Sequence, residues 1–276
     1  MSNKVILVVV DGLKYGTALG HCGFLEGQVE SGKARRWRMR ASLPSMSGPC
    51  YESIHTGLDP ADHGITANSL LRPSSVDNVF ALAQAAGKKT AAVAYSWFSV
   101  LYNAAPYDPV RDQETDDASK PIQYGRFYDD AGKTAFHLGI PSDADLCAQV
   151  DRLIGRHGPD YLLLHTLSCD SVGHVHGGAS WQYDRSATVV DSTLGKHARD
   201  WRAAGYRVLV TADHGFTDCG YHGGANDDVR DIAFYDIGHP EPGISEDVVS
   251  QRAVAPTVLK LMGMEAPAQM KEAPLV

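Results

Sequence analysis

Three short fragments of this chain hold residues of the types that ligate divalent metals. Asp11 closes the apolar run Val8-Val9-Val10 and precedes Gly12; Asp170 and His174 form an Asp-x-x-x-His; Asp213 and His214 stand in Thr211-Ala212-Asp213-His214-Gly215, with His222 further on. Three carboxylates and three imidazoles are what two neighbouring divalent cations need. Such a mixed oxygen and nitrogen set suits zinc, with manganese or iron as alternatives. A hydroxyl residue, Ser47, lies between the first and second fragments. The chemistry this combination points to is metal-assisted transfer or hydrolysis at phosphorus.

The fragments differ in weight. An Asp before Gly is often only a turn residue, so Asp11 alone carries little. Asp213 and His214 carry more, because two adjacent metal-capable groups leave a Val-rich strand. Asp170 and His174 are flanked by Gly173, Gly177 and Gly178, and glycine lets backbone approach a crowded site. Ser47-Gly48-Pro49 can open a helix. Two readings of Ser47 stay open on this segment: a helix cap, or a hydroxyl at a helix N-terminus where N–H groups and the dipole favour anions. His55 reads as packing or capping, His165 as buried and satisfied, and Cys169 as a buried thiol. His176 reads as outside the ligand set, and His21, His137, His157, His197 and His239 show no ligand context.

The elements that position these residues alternate. Residues 4–10, 161–166 and 207–211 are apolar runs of the kind buried on both faces of a parallel sheet. Residues 90–95 and 231–235 are shorter candidate strands. Helices are expected at 75–86, 142–156, 181–204 and 253–261, several closing at a glycine. The alternation predicts an α/β fold, a mostly parallel doubly wound sheet with helices on both faces. Ligands in such sheets bind beyond the carboxyl ends of the strands, which is where Asp11, Asp170 and Asp213 fall. The chain reads as one catalytic domain over 1–276. Residues 96–141 look like an insertion or cap, with Trp97, Phe98, Tyr102, Tyr107, Tyr124, Phe127, Tyr128 and Phe136 among Pro, Asp and Gly. This segment is expected to form a substrate wall, a subunit contact or a covering flap.

Composition narrows the class. A formal charge of −8 over 276 residues argues against a nucleic-acid polymer as partner, since a basic face is the usual footprint. No apolar run approaches the ~18 residues of a membrane span, so no membrane partner is expected. The first residues lack a secretory leader pattern. Cys22, Cys50, Cys147, Cys169 and Cys219 contain no CxxC pair; they read as free thiols in a reducing, cytoplasmic setting.

The order of these pieces resembles the alkaline phosphatase superfamily, and within it the type I phosphodiesterase/nucleotide pyrophosphatase branch. The resemblance runs from Val10-Asp11-Gly12 through Pro44-Ser45-Met46-Ser47-Gly48-Pro49, Thr56-Gly57-Leu58-Asp59-Pro60, His63-Gly64-Ile65 and Asn68. It continues through Asp170 to His174, Thr211 to Gly215, His222-Gly223-Gly224 and the tail Ala253 to Leu259. It implies one metal on Asp11, Ser47, Asp213 and His214, and a second on Asp170, His174 and His222. It makes Ser47 the nucleophile, passing through a phospho-Ser47 intermediate, and Asn68 the donor to a phosphoryl oxygen. Gly48 and Cys50 depart from the commoner Phe and Asn beside the proline. Two dications against three carboxylates leave one net positive charge, which a Ser47 alkoxide cancels.

The function so implied is two-metal hydrolysis of a small-molecule phosphate ester, a diester or nucleotide pyrophosphate first, in a chain that could form homo-oligomers. Phosphomonoesterase, phosphonate hydrolase and phosphomutase activities of the same superfamily are alternatives. A sulfatase signature carries Arg two residues after the proline, where this chain has Tyr51. From a different class, a non-catalytic, metal-stabilised binding protein would keep the ligands and lose turnover.

Overall fold

The computed structural model describes residues 3–130 and 137–276; Met1, Ser2 and the segment 131–136, Phe136 among them, lie outside the described residues. The strands are β1 (Lys4–Val10), β2 (Ala34–Arg40), β3 (Thr90–Tyr95), β4 (Glu114–Asp116), β5 (Tyr124–Tyr128), β6 (Tyr161–Thr166), β7 (Tyr206–Thr211), β8 (Asp231–Ile237) and β9 (Gly243–Ser250). They form one nine-stranded sheet in the order β4-β5-β3-β6-β1-β7-β8-β2-β9. The pairs β5–β3, β3–β6, β6–β1, β1–β7 and β2–β9 are parallel; β4–β5, β7–β8 and β8–β2 are antiparallel.

The centre of the sheet explains why its runs are so apolar. Val5 through Val10 and Tyr161 through Leu164 are buried with 0–1% exposure. Each Val or Leu sealed this way contributes about 1.5–3 kcal/mol. Helices cover both faces, including Ser47–Thr56, Asp143–His157, Trp181–Ala203 and Val254–Leu261. The expected helix at 75–86 is shorter, Val79–Ala85, because the Asn78 side chain accepts the Ala81 N–H at 3.0 Å and caps it there. Strand β2 was not anticipated. Four arginines disguise it, and acidic partners hold all of them: Arg35 on Glu241 at 2.9 Å, Arg36 on Glu26, Arg38 on Asp231, and Arg40 on Asp227 at 2.7 Å.

Described residues of the segment 96–141 join the sheet. Its β5 pairs parallel to β3, from Ala91↔Tyr124 to Tyr95↔Tyr128, and β4 closes that edge of the sheet. Phe98, Phe127 and Tyr128 are buried.

Candidate active site

Neighbouring strands deliver the three carboxylates. Asp11 leaves β1, Asp213 follows β7 and Asp170 lies in the helix Ser168–His176 that follows β6. Since β6, β1 and β7 are adjacent, their carboxyl ends converge. Asp11 N–H donates to the Thr166 carbonyl at 3.0 Å, extending the ladder past the last strand residue. Gly12 turns there with φ +72°. A Cβ at this position would stand 2.9 Å from the Phe216 ring and 3.0 Å from Asp170 Cα. The Asp-Gly pair therefore serves close approach as well as a turn.

Two clusters result. In the first, His214 Nε2 lies 3.2 Å from Asp213 Oδ2 and 3.5 Å from Asp11 Oδ1. In the second, Asp170 Oδ1 lies 3.5 Å from His174 Nε2 and 3.6 Å from His222 Nε2. The clusters adjoin through the His214 and His222 rings, stacked at 3.8 Å and 14°. Phe216, fully buried, packs edge-on to His174 and His222 beneath them.

Each imidazole is oriented by a backbone carbonyl. His214 Nδ1 donates to Gly215 O at 3.0 Å, His174 Nδ1 to Gly220 O at 3.1 Å, and His222 Nδ1 to Ser45 O at 3.3 Å. A carbonyl only accepts, so Nδ1 of each ring carries a proton and Nε2 turns inward. Burial pushes His214 and His222 down to about 3, so both are neutral at pH 7. Nε2 of His174 and Nε2 of His222 face each other at 3.2 Å. Burial first, then the neighbouring Asp213 and Asp170, pushes Asp11 well above the usual carboxylate range. Burial takes Asp213 up to about 6. The sealed oxygens Asp11 Oδ1 and Asp213 Oδ2 accept no hydrogen bond, a costly state for a buried acceptor. Converging lone pairs, orphaned carboxylate oxygens and a mixed donor set all fit divalent cations.

Ser47 opens the helix Ser47–Thr56, and the N-cap is Met46, which makes no side-chain cap bond. Its hydroxyl is therefore not used as a cap; Oγ lies 3.1 Å from His214 Nε2. Asn68 reaches the same place from a short helical turn, its Oδ1 accepting the Gly48 N–H at 2.9 Å. All eight sequence-level candidates thus come together around these clusters.

A profile of the type I phosphodiesterase / nucleotide pyrophosphatase family matches residues 5–232. The chain belongs to that family. Human GPI ethanolamine phosphate transferase 2, catalytic subunit, is 24% identical over 92% of this chain and 26% of its own length. The 2,3-bisphosphoglycerate-independent phosphoglycerate mutase of Wolinella succinogenes is 31% identical over 42% of this chain and 23% of its own. The chain thus spans about a quarter of the length of these curated relatives. Murine ectonucleotide pyrophosphatase / phosphodiesterase 5 superposes with a TM-score of 0.75 at 13% identity, covering 96% of both chains. The fold is that of the alkaline phosphatase superfamily, as the sequence resemblance implied.

Three residues of this phosphodiesterase-family chain escaped sequence reasoning. Tyr51 donates its hydroxyl to Asp11 Oδ2, and its i, i+4 spacing from Ser47 on one helix face was the available signal. His165 is buried and satisfied as expected, but its partner is Asp11 Oδ2, 3.1 Å from Nε2. Phe216 followed Gly215 in a fragment read only for its ligands.

Proposed function

We propose that the chain is a metal-dependent phosphoric ester hydrolase that cleaves phosphodiesters or nucleotide pyrophosphates with Ser47 as nucleophile. The observation that carries this reading is the Ser47 hydroxyl beside His214, at a helix N-terminus, where two ligand clusters adjoin. Asp11, Asp213 and His214 would hold one cation with Ser47, and Asp170, His174 and His222 the other; zinc suits this donor set. When bound, the cations supply positive charge that favours a serine alkoxide and the developing charge on the phosphoryl oxygens.

Ser47 Oγ bonds to phosphorus as the bond from phosphorus to the leaving oxygen breaks. The serine proton passes to solvent and the leaving group departs as an alcohol or phosphate. The N–H groups at the start of the Ser47 helix favour the anion at that point. Asn68, held through Oδ1 by Gly48, has its amide N–H groups left to donate to a phosphoryl oxygen. Water then attacks phosphorus, the bond to Oγ breaks, and Ser47 is restored. An alcohol in place of water would give a transferase, the activity in the name of the human relative.

Tyr51 occupies the position of the sulfatase arginine and is engaged with Asp11, which favours a monoanionic diester over a dianionic terminal group. Five unpaired thiols, four of them buried, support a reducing, cytoplasmic setting.

Hydrolysis of bis-p-nitrophenyl phosphate, with and without chelator and with ethanolamine as a competing acceptor, tests the proposal. Turnover that follows bound zinc and falls by orders of magnitude in Ser47→Ala is expected. Protein with zinc demonstrably bound and no turnover of diesters, monoesters or phosphonates would leave a non-catalytic binding protein instead.

A further inference from the structure

The two oxygens of Asp11 are unequally held. Asp11 Oδ2 accepts from the Tyr51 hydroxyl and from His165 Nε2, 3.1 Å away, while Oδ1 of the same group accepts nothing. The Tyr128 hydroxyl lies 3.0 Å from His165 Nδ1. A carboxylate acceptor requires the proton on Nε2, so Nδ1 is bare and shares the single Tyr128 hydroxyl proton with the His165 carbonyl, 3.1 Å from the same phenol oxygen. The chain of hydrogen bonds therefore runs across the strand ends, from Tyr128 on β5 past β3 to His165 on β6 and to Asp11 beyond β1. Tyr51 closes it from the nucleophile helix.

The rings are packed as firmly as the polar atoms are paired. Tyr51 stacks on Phe98 at 4.5 Å and 26°, and Phe98 and Tyr51 stand 5.2 Å and 5.0 Å from His165. Phe98 and Tyr128 come from the aromatic-rich segment whose purpose the sequence left open.

We propose that Tyr51, His165 and Tyr128 are positioning residues that clamp Asp11 with Oδ1 aimed at the inner cation position, and that the aromatic-rich segment supplies the back of this clamp through Tyr128. The inference rests on the metal-dependent reading above. Saturating Oδ2 fixes the carboxylate rotamer and leaves a single oxygen to offer. Outer partners of this kind are worth about ten- to a hundredfold in metal affinity.

The test is Zn2+ titration of metal-free protein in a His222→Ala background, which confines the reading to the inner position. Tyr51→Phe deletes one hydroxyl and keeps the ring on Phe98; it should weaken zinc binding about tenfold or more. Tyr128→Phe, acting through His165, should weaken it less, and it carries the test alone should Tyr51→Phe not fold. Phe98→Leu disturbs only packing, and should lower the melting temperature while leaving zinc affinity unchanged. With otherwise wild-type sequence and saturating zinc, Tyr51→Phe should recover most of kcat at an unaltered KM. Wild-type affinity in both tyrosine variants, or an equal loss in Phe98→Leu, would overturn the clamp. Failure of the unmutated protein to bind two zinc ions would overturn the metal reading itself, a separate result.

Discussion

Asp11, Asp213 and His214 are wholly sealed from solvent, whereas in the adjoining cluster the His174 side chain is 40% exposed and that of Asp170 13%. The same residue types therefore work in two media. In the inner cluster, carboxylate charges are neither hydrated nor screened, so burial pushes Asp11 and Asp213 toward the neutral form. A cation there would relieve a cost built into the fold. In the outer cluster water already does part of that work, and a cation would exchange more freely. On the proposed reading, inner metal is linked to stability and outer metal to turnover.

The largest effect that can break this comparison is the loss of a ligand from each side. Asp213→Ala should cut turnover by about a thousandfold, the scale of losing a buried group that stabilises developing charge, and excess zinc should not restore it. His222→Ala should lose zinc from the outer position and about ten- to a hundredfold in rate, with partial recovery as zinc is raised. Elemental analysis with kcat at graded zinc reads both. Equal losses and equal rescue would erase the distinction between sealed and open clusters.

Chelation tests the same contrast without mutation. Stepwise dialysis should remove outer zinc first, cutting activity at least as far as His222→Ala does, with little change in melting temperature. The second equivalent should leave with a clear fall in stability, about 3 kcal/mol if zinc stands a hundredfold above its Kd. A melting temperature that falls with the first equivalent would reverse the assignment.

A smaller effect lies in the metal-free protein. Asp213 rises from 3.8 to about 6. A raised acid contributes its stability below the unfolded pKa and loses it as pH rises through the folded value. The contribution is therefore full below about pH 4 and gone above about pH 6, on the order of 3 kcal/mol. His55, buried behind the site and lowered from 6.5 to about 4, has the opposite slope: its contribution is full above 6.5 and is lost as pH falls toward 4. Subtracting Asp213→Asn from wild type cancels His55. Urea midpoints for the two should converge at low pH and separate, wild type falling, as pH rises. Parallel curves would show that Asp213 is not desolvated as placed.

These contrasts were partly legible in the sequence. Asp11 and Asp213 follow apolar runs that only a buried strand explains, and Asp170 with His174 shares one helix face by spacing alone. What the sequence concealed was context. His165 reads as one more core histidine until Asp11 is placed beside it, and Tyr51 as core until its hydroxyl finds the same carboxylate. Burial of a polar group states that a partner exists without naming it. Strand β2 was hidden by arginines whose acidic partners lie mostly far along the chain. Strand β5 was hidden because an aromatic-rich stretch broken by Pro and Gly resembles a loop, while its pairing with β3 is fixed by tertiary contact rather than by local pattern.

The smallest effect concerns the start of the Ser47 helix, on the sealed side. A Cβ at Gly48 would stand 3.2 Å from Asn68 Oδ1 and 3.3 Å from Leu71 Cδ1. Gly48→Ala therefore requires Asn68 to give way by a few tenths of an ångström, while its Oδ1 still holds the residue-48 N–H. Misplacement by about 1 Å can cost a hundredfold in rate, so a shift of tenths should cost several-fold in kcat. Zinc content and melting temperature should hardly move, because no ligand of either cluster is touched. An unchanged kcat would mean that Asn68 is not tuned by its seat against this helix. A fall in bound zinc would mean that the helix start is part of the inner cluster's own support. The sealed region would then extend through Ser47 to Asn68, and the line between stability and turnover would run through Ser47 itself rather than between the two clusters.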